Sequence, residues 1–165
     1  MSKKYLFHGT QNLFLENMRL EPRISVGFNK PCVYATDDFG YALVRAGKQE
    51  DLIREEYYGK EKPFELAECF PNAFKDMFDC RGYIYLLDPD DFEDHGFEFT
   101  SDKPVIPVDM IVIPNIWDYM RRMNIDRDWY DLYWYDDEEY WKRVRGGREG
   151  FIVRKQLRKM LLEAD

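Results

Sequence analysis

The run Gly82-Tyr83-Ile84-Tyr85-Leu86-Leu87 is the clearest strand signal in the chain, rich in β-preferring residues and stopped by Asp88-Pro89. Other strand signals surround it. Lys4 to Phe7 reads as a short apolar strand ending at His8-Gly9-Thr10, and Cys32-Val33-Tyr34-Ala35 as a second, buried one. Phe97-Glu98-Phe99-Thr100-Ser101 alternates over a short span. Val105 to Ile113 is a further strand in which Pro107 implies an edge or a bulge. Between these lie helical signals. Asn12 to Leu20 places Leu13, Phe14, Leu15, Met18 and Leu20 at plausible helical positions, and Glu21 to Pro31, with Pro22, Gly27 and Pro31, reads as loop. Thr36-Asp37-Asp38 is a helix start, because short oxygen-bearing side chains satisfy free N–H groups there; the helix runs from Phe39 to about Ala46. From Gly47 to Asp79 the pattern is mixed and highly charged, which suggests helices or a long excursion.

The last third changes character. Ile116 to Met123 looks helical, and Trp129 to Trp141 crowds aromatics among Asp131, Asp136, Asp137, Glu138 and Glu139. That segment suits above all an amphipathic helix whose rings complete the core, with a surface for a basic protein partner as the alternative. Arg143 to Gly150 is a turn-rich basic interruption before a closing amphipathic helix, Phe151 to Leu162, with Ile152, Val153, Leu157, Met160 and Leu161 three or four apart. The expected organisation is residues 1–114 as one domain and 115–165 as a helical C-terminal extension packed on it.

Composition narrows the function classes. Hydrophobic residues make up 45% and charged ones 34%, a globular balance over 165 residues. No uncharged apolar run approaches the roughly 20 residues that cross a bilayer, and Met1 to Phe7 lacks a signal-peptide stretch, so no membrane is expected. Cys32, Cys69 and Cys80 cannot all pair and form no CxxC, which points to a reduced, cytoplasmic protein without a structural metal. The net charge of -8 argues against broad nucleic-acid binding, although it leaves room for a local basic pocket for one small anion.

The most informative feature is a set of residues. A histidine in Phe7-His8-Gly9-Thr10, a tyrosine in Val33-Tyr34-Ala35-Thr36-Asp37 followed by Tyr41 on the next helix, and Glu98 on a later strand can converge in one cleft. This set resembles the histidine–tyrosine–glutamate branch of the ADP-ribosyltransferase superfamily, which includes poly(ADP-ribose) polymerases and diphtheria-type toxins. His8-Gly9-Thr10 matches that branch's HG[ST] strand. Tyr34-Ala35-Thr36-Asp37 matches its strand-to-helix step, with Val33 where a stacking tyrosine often sits. The resemblance covers about Tyr5 to Ile113.

The resemblance implies an α+β fold with a split, mostly antiparallel β core, surrounding helices and a central cleft. It also implies NAD as substrate, held by His8, Gly9, Thr10, Tyr34 and Tyr41. His8 would bond a ribose hydroxyl, the Gly9 backbone would clamp the nicotinamide amide, and Tyr34 or Tyr41 would stack on the ring. Glu98, together with His8 and Tyr34, would form the catalytic set, its carboxylate stabilising an oxocarbenium-like state; Glu93 is the nearest substitute for it. Nicotinamide leaves neutral from a cationic precursor, so no general acid is required. Arg19 and Arg23 are candidates for the NAD phosphates. ADP-ribose would pass to a macromolecular acceptor or to water. The competing expectations are a non-catalytic binding module of the same fold and an RNA 2′-phosphotransferase.

Overall fold

The run that dominates the sequence lies between two cores. In the computed structural model, which describes residues 4–13, 19–24, 30–96 and 98–163, Gly82–Leu87 forms strand β5. It is the middle strand of an antiparallel sheet, flanked by β1 (Leu6–Thr10) and β8 (Asp109–Ile113). Ile84 joins one hydrophobic cluster, while Tyr85 and Leu87 join another with Leu6, Val33 and Ala35. Apolar surroundings on both faces explain why this strand reads as a near-continuous apolar run rather than an alternating one.

A second sheet contains β2 (Val33–Ala35), β7 (Phe99–Ser101) and β6 (Glu93–Asp94), with β7 in the middle. A third is ordered β3 (Ile53–Glu56), β4 (Phe64–Glu68), β9 (Tyr130–Tyr133). Only the β4–β9 pairing is parallel among the described strands. Five α-helices complete the described residues: α1 (Phe39–Arg45), α2 (Ala73–Phe78), α3 (Ile116–Asp126), α4 (Glu138–Lys142) and α5 (Gly147–Glu163). The fold is α+β with mostly antiparallel sheets. No helix among the described residues is long and apolar enough to cross a membrane.

Several sequence expectations change. His8-Gly9-Thr10 lies within β1 rather than after it. The charged stretch from Gly47 to Asp79 contains two strands as well as α2. Its charges mislead because they are paired across the ladder: Arg54 bonds Glu65 at 3.2 Å and the Tyr140 hydroxyl at 2.7 Å. Glu68 is buried and accepts the Phe74 N–H at 3.0 Å, near the start of α2.

The strand predicted over Val105 to Ile113 shortens to Asp109–Ile113 at a sheet edge. Pro107 stands outside it, and Val105 instead pairs once with Leu20. The strand predicted from Phe97 begins at Phe99; Phe97 itself lies outside the described residues, as do most of the Asn12–Leu20 helix and much of the Glu21–Pro31 loop.

The C-terminal part is not wholly helical, and Trp129 to Trp141 is not one helix: β9 precedes a turn and α4. β9 adds to the edge of β4, and Tyr130 is buried with Ile116 and Met120 in the principal cluster. Tyr140 and Trp141 are buried as well, with Tyr140 stacked on Tyr133 at 4.3 Å, whereas Trp134 stays half exposed. Parallel pairing to a distant strand overrides the helical pattern of that segment.

Helix α1 packs directly on β1. Phe7 meets Phe39 edge-on at 5.3 Å, and a methyl group added at Gly9 would lie 1.8 Å from the Ala42 carbonyl oxygen. Only glycine permits that approach. Gly9→Ala is therefore expected to destabilise the fold by ~3 kcal/mol or more, at or beyond the upper end of overpacking costs, measured by urea denaturation. Unchanged stability would contradict this packing.

Candidate functional site

The site begins where two strands part. Phe7 and Thr36 exchange backbone hydrogen bonds at 2.7 and 2.9 Å, and among the described residues β1 and β2 pair only there. In the same register Gly9 stands opposite Tyr34. Successive strand residues direct their N–H and C=O to opposite edges, so Gly9 presents its pair to the edge that Phe7 uses. His8 and Thr10 turn theirs towards β5, where they face Tyr85 and Tyr83. At Gly9 the ladder gives way: the Tyr34 carbonyl lies 2.6 Å from Nδ1 of His8. A carbonyl only accepts, so Nδ1 carries the proton, and in the neutral ring Nε2 is left as an acceptor. Burial, more than the nearby Arg23 charge, lowers the His8 pKa from its usual 6.5 despite that bond, which keeps the ring neutral at pH 7.

Helix α1 delivers the next group. Asp38 caps it, accepting the Gly40 and Tyr41 N–H groups at 3.0 and 3.4 Å on one carboxylate oxygen. The other oxygen accepts the Tyr57 hydroxyl. This fixes the first turn, and Tyr41 then packs on Tyr57 at 4.7 Å and on Phe64 at 5.5 Å, with the Arg45 guanidinium 4.9 Å from its centroid.

These elements enclose a cleft of about 610 Å³ whose lining includes His8, Gly9, Thr10, Tyr34, Tyr41 and Glu98. All the predicted site residues thus border one space, within the roughly 300–1,000 Å³ typical of small-molecule sites. Glu98 immediately precedes β7, its carbonyl accepting the His95 N–H at 2.9 Å. Burial raises its carboxyl above the ordinary carboxylate pKa of 4.5, while His95 and Arg45 pull it partly back. Glu98 also borders an adjoining lobe of about 540 Å³ that includes Tyr57, Tyr58 and Phe64. The carboxylate stands at the junction of two spaces.

Other candidates fall away from the cleft. Glu93 is exposed on β6, and Arg19 forms an exposed ion pair with Glu21 at 2.5 Å. Arg23 pairs with Cys32 through the backbone, does not line the cleft, and its charge lowers the His8 pKa. His95, expected as an exposed loop residue, is exposed but bonds the Thr100 hydroxyl at 2.8 Å.

Sequence reasoning missed Arg45, which borders both lobes and pairs with Glu55. Its signal was present: four residues after Tyr41 on the same helix, it shares that residue's face. Comparison with known protein families, curated proteins and solved structures finds no match for this chain.

The arrangement combines a strand-edge donor and acceptor, a neutral imidazole, aromatic rings and a partly desolvated carboxylate. That suits recognition of an amide-bearing aromatic ligand with hydroxyls, and stabilisation of positive charge. Titration of the two ionisable groups leaves opposite marks on stability. His8 has a folded pKa below its unfolded value, so its contribution is complete above pH 6.5 and drains as the pH falls towards the folded value. Glu98 has a folded pKa above its unfolded 4.5, so its ionisation costs stability as the pH rises through the folded value. Glu98→Gln is expected to raise the thermal midpoint at neutral pH, with the gain vanishing below pH 4.5. A lower midpoint at neutral pH would show that Glu98 instead holds the fold together.

Proposed function

We propose that the chain is an ADP-ribosyltransferase-like enzyme that binds NAD and transfers ADP-ribose to an acceptor. The observation that carries this reading is the convergence of His8, the Gly9 strand edge, Tyr34 and Glu98 on one cleft of about 610 Å³. The residues fit the ligand group by group. A primary amide offers one acceptor and donors side by side, and the Gly9 N–H and C=O offer the complementary pair. Nε2 of neutral His8 accepts a ribose hydroxyl. Tyr34 and Tyr41 both border the cleft, and either offers a ring for stacking.

Bound NAD supplies an ADP-ribosyl group on a cationic leaving group. Glu98 holds a hydroxyl of the adjacent ribose and sets its negative charge beside the carbon that becomes positive. In a partly desolvated site such a fixed charge acts more strongly than in water. Tyr34 or Tyr41 and the Gly9 edge hold the leaving ring in place, and His8 orients the sugar. The chemistry needs the ionised form of Glu98, and burial shifts that ionisation upward, so activity should climb with pH through a carboxyl pKa above the ordinary range.

The test is nicotinamide release from NAD. Glu98→Gln is expected to lower kcat by about 10²–10³, the usual cost of removing one preorganised stabilising group, while NAD binding persists. His8→Ala is expected to weaken NAD binding. If the wild-type protein neither binds nor cleaves NAD, the cleft serves a non-catalytic binding module. Binding without turnover would mark a decayed active site.

A further inference from the structure

Helix α5 is apolar on two faces, and the domain covers one of them. On the inner face Phe151 and Ile152 pack against Tyr140, Trp141 and Val144. Lys155, on that side, donates to the Ile53 carbonyl at 3.1 Å and lies 3.3 Å from Asp51, with Lys159 3.7 Å from the same carboxylate. The helix also walls a groove of about 610 Å³ that meets the cleft at Arg45 and Gln49. The outer face is bare. Val153, Leu157, Met160 and Leu161 are 52%, 54%, 65% and 74% exposed. At about 100° per residue these four form one stripe about 100° wide, centred opposite the face that carries Phe151, Ile152, Lys155 and Lys159. That is the width a helix ordinarily turns towards a core.

Spacing and flanking charges identify what covers it. Val153, Leu157 and Met160 are four and three residues apart, the alternation by which one helix meets another along a seam. The seam separates charges of opposite sign, with Glu149 on one flank and Arg154 on the other. Both are exposed, and neither is in an ion pair among the described residues. When two copies of α5 run parallel about a two-fold axis, Glu149 of each faces Arg154 of the other, five residues on, and both charges are answered twice. An antiparallel pair sets Arg154 against Leu161 instead. A lipid surface suits the face less well. Lys155 and Lys159 are turned to Asp51, and anionic headgroups repel a chain of net charge -8.

We propose that α5 pairs in parallel with α5 of a second copy of this chain, burying Val153, Leu157, Met160 and Leu161 between them. Each domain covers the side of its helix turned away from the seam, so the two domains stand outside the pair. None of the four seam residues lines the cleft, and the association is independent of the NAD reading. Four side chains from each copy fall short of the roughly 800 Å² per partner of a standard stable interface, so the dimer is weak, with a dissociation constant on the order of 10–100 μM.

The experiment is sedimentation velocity of the full chain from about 2 to 300 μM, a range that brackets this weak association. The wild-type protein is expected to pass from monomer to dimer. Leu157→Glu, at an exposed position, is expected to raise the dissociation constant more than about tenfold, because the dimer then buries unpaired charge. Glu149→Arg and Arg154→Glu each set like charges face to face, and each alone is expected to weaken association about fivefold or more. Their equimolar mixture is expected to recover it as a heterodimer. Circular dichroism checks that every variant keeps its fold. A wild-type chain that stays monomeric throughout, or a dimer indifferent to Leu157→Glu, would overturn the proposal. Charge variants that fail to rescue each other would overturn the parallel pairing. A monomer that instead sediments with phosphatidylserine vesicles would give the face to lipid and overturn the second copy as its occupant.

Discussion

Contact between α1 and the Gly9 position of β1 sets the geometry of the whole site. A single methyl group there would collide with the helix backbone. With hydrogen in its place, α1 lies close enough for Phe7 to meet Phe39, and Thr36 pairs with Phe7 just before the Asp38 cap. The chain must then leave β1 after one pair, and the two strands part at Gly9 and Tyr34. The opening that results is the cleft. The sequence triplet His8-Gly9-Thr10 therefore does two things at once: its glycine admits a helix on one side and exposes backbone polar groups at the strand edge.

The electrostatics follow from where the charges are concentrated. Acidic groups dominate the chain as a whole, yet those that stabilise the fold are paired or buried: Glu65 with Arg54, Glu55 with Arg45, Glu68 with the Phe74 N–H. Glu98 is different. Its carboxylate is partly desolvated, with only the fields of His95 and Arg45 opposing burial. Burial raises the carboxyls of Glu68 and Asp131 as well, but of the three Glu98 alone borders the cleft, the pattern expected where charge serves chemistry rather than folding.

Much of this was legible in the sequence, for identifiable reasons. The strand at Gly82–Leu87, the Asp38 cap and α1 carry strong local signals, and all three form as expected. The convergence of His8, Tyr34 and Glu98 rested on short motifs, and the cleft brings them together. What local pattern could not reveal was long-range pairing. β3 and β4 hide behind charges that cancel across the ladder, and β9 exists because it joins β4 in parallel from more than sixty residues away. Arg45 escaped notice because a surface-like residue acquires its role only when three cavities meet around it.

The central claim is that the edge exposed at Gly9 and the imidazole of His8 are the contact surface for NAD. Titration of NAD into isotope-labelled protein, followed by NMR at the Gly9 amide and the His8 ring nitrogens, measures this directly. Saturable shifts of both the Gly9 N–H and Nε2 of His8, with Nδ1 retaining its proton, are the expected result. Shifts confined to other parts of the molecule, or none at ligand concentrations that saturate a small-molecule site, would contradict the account.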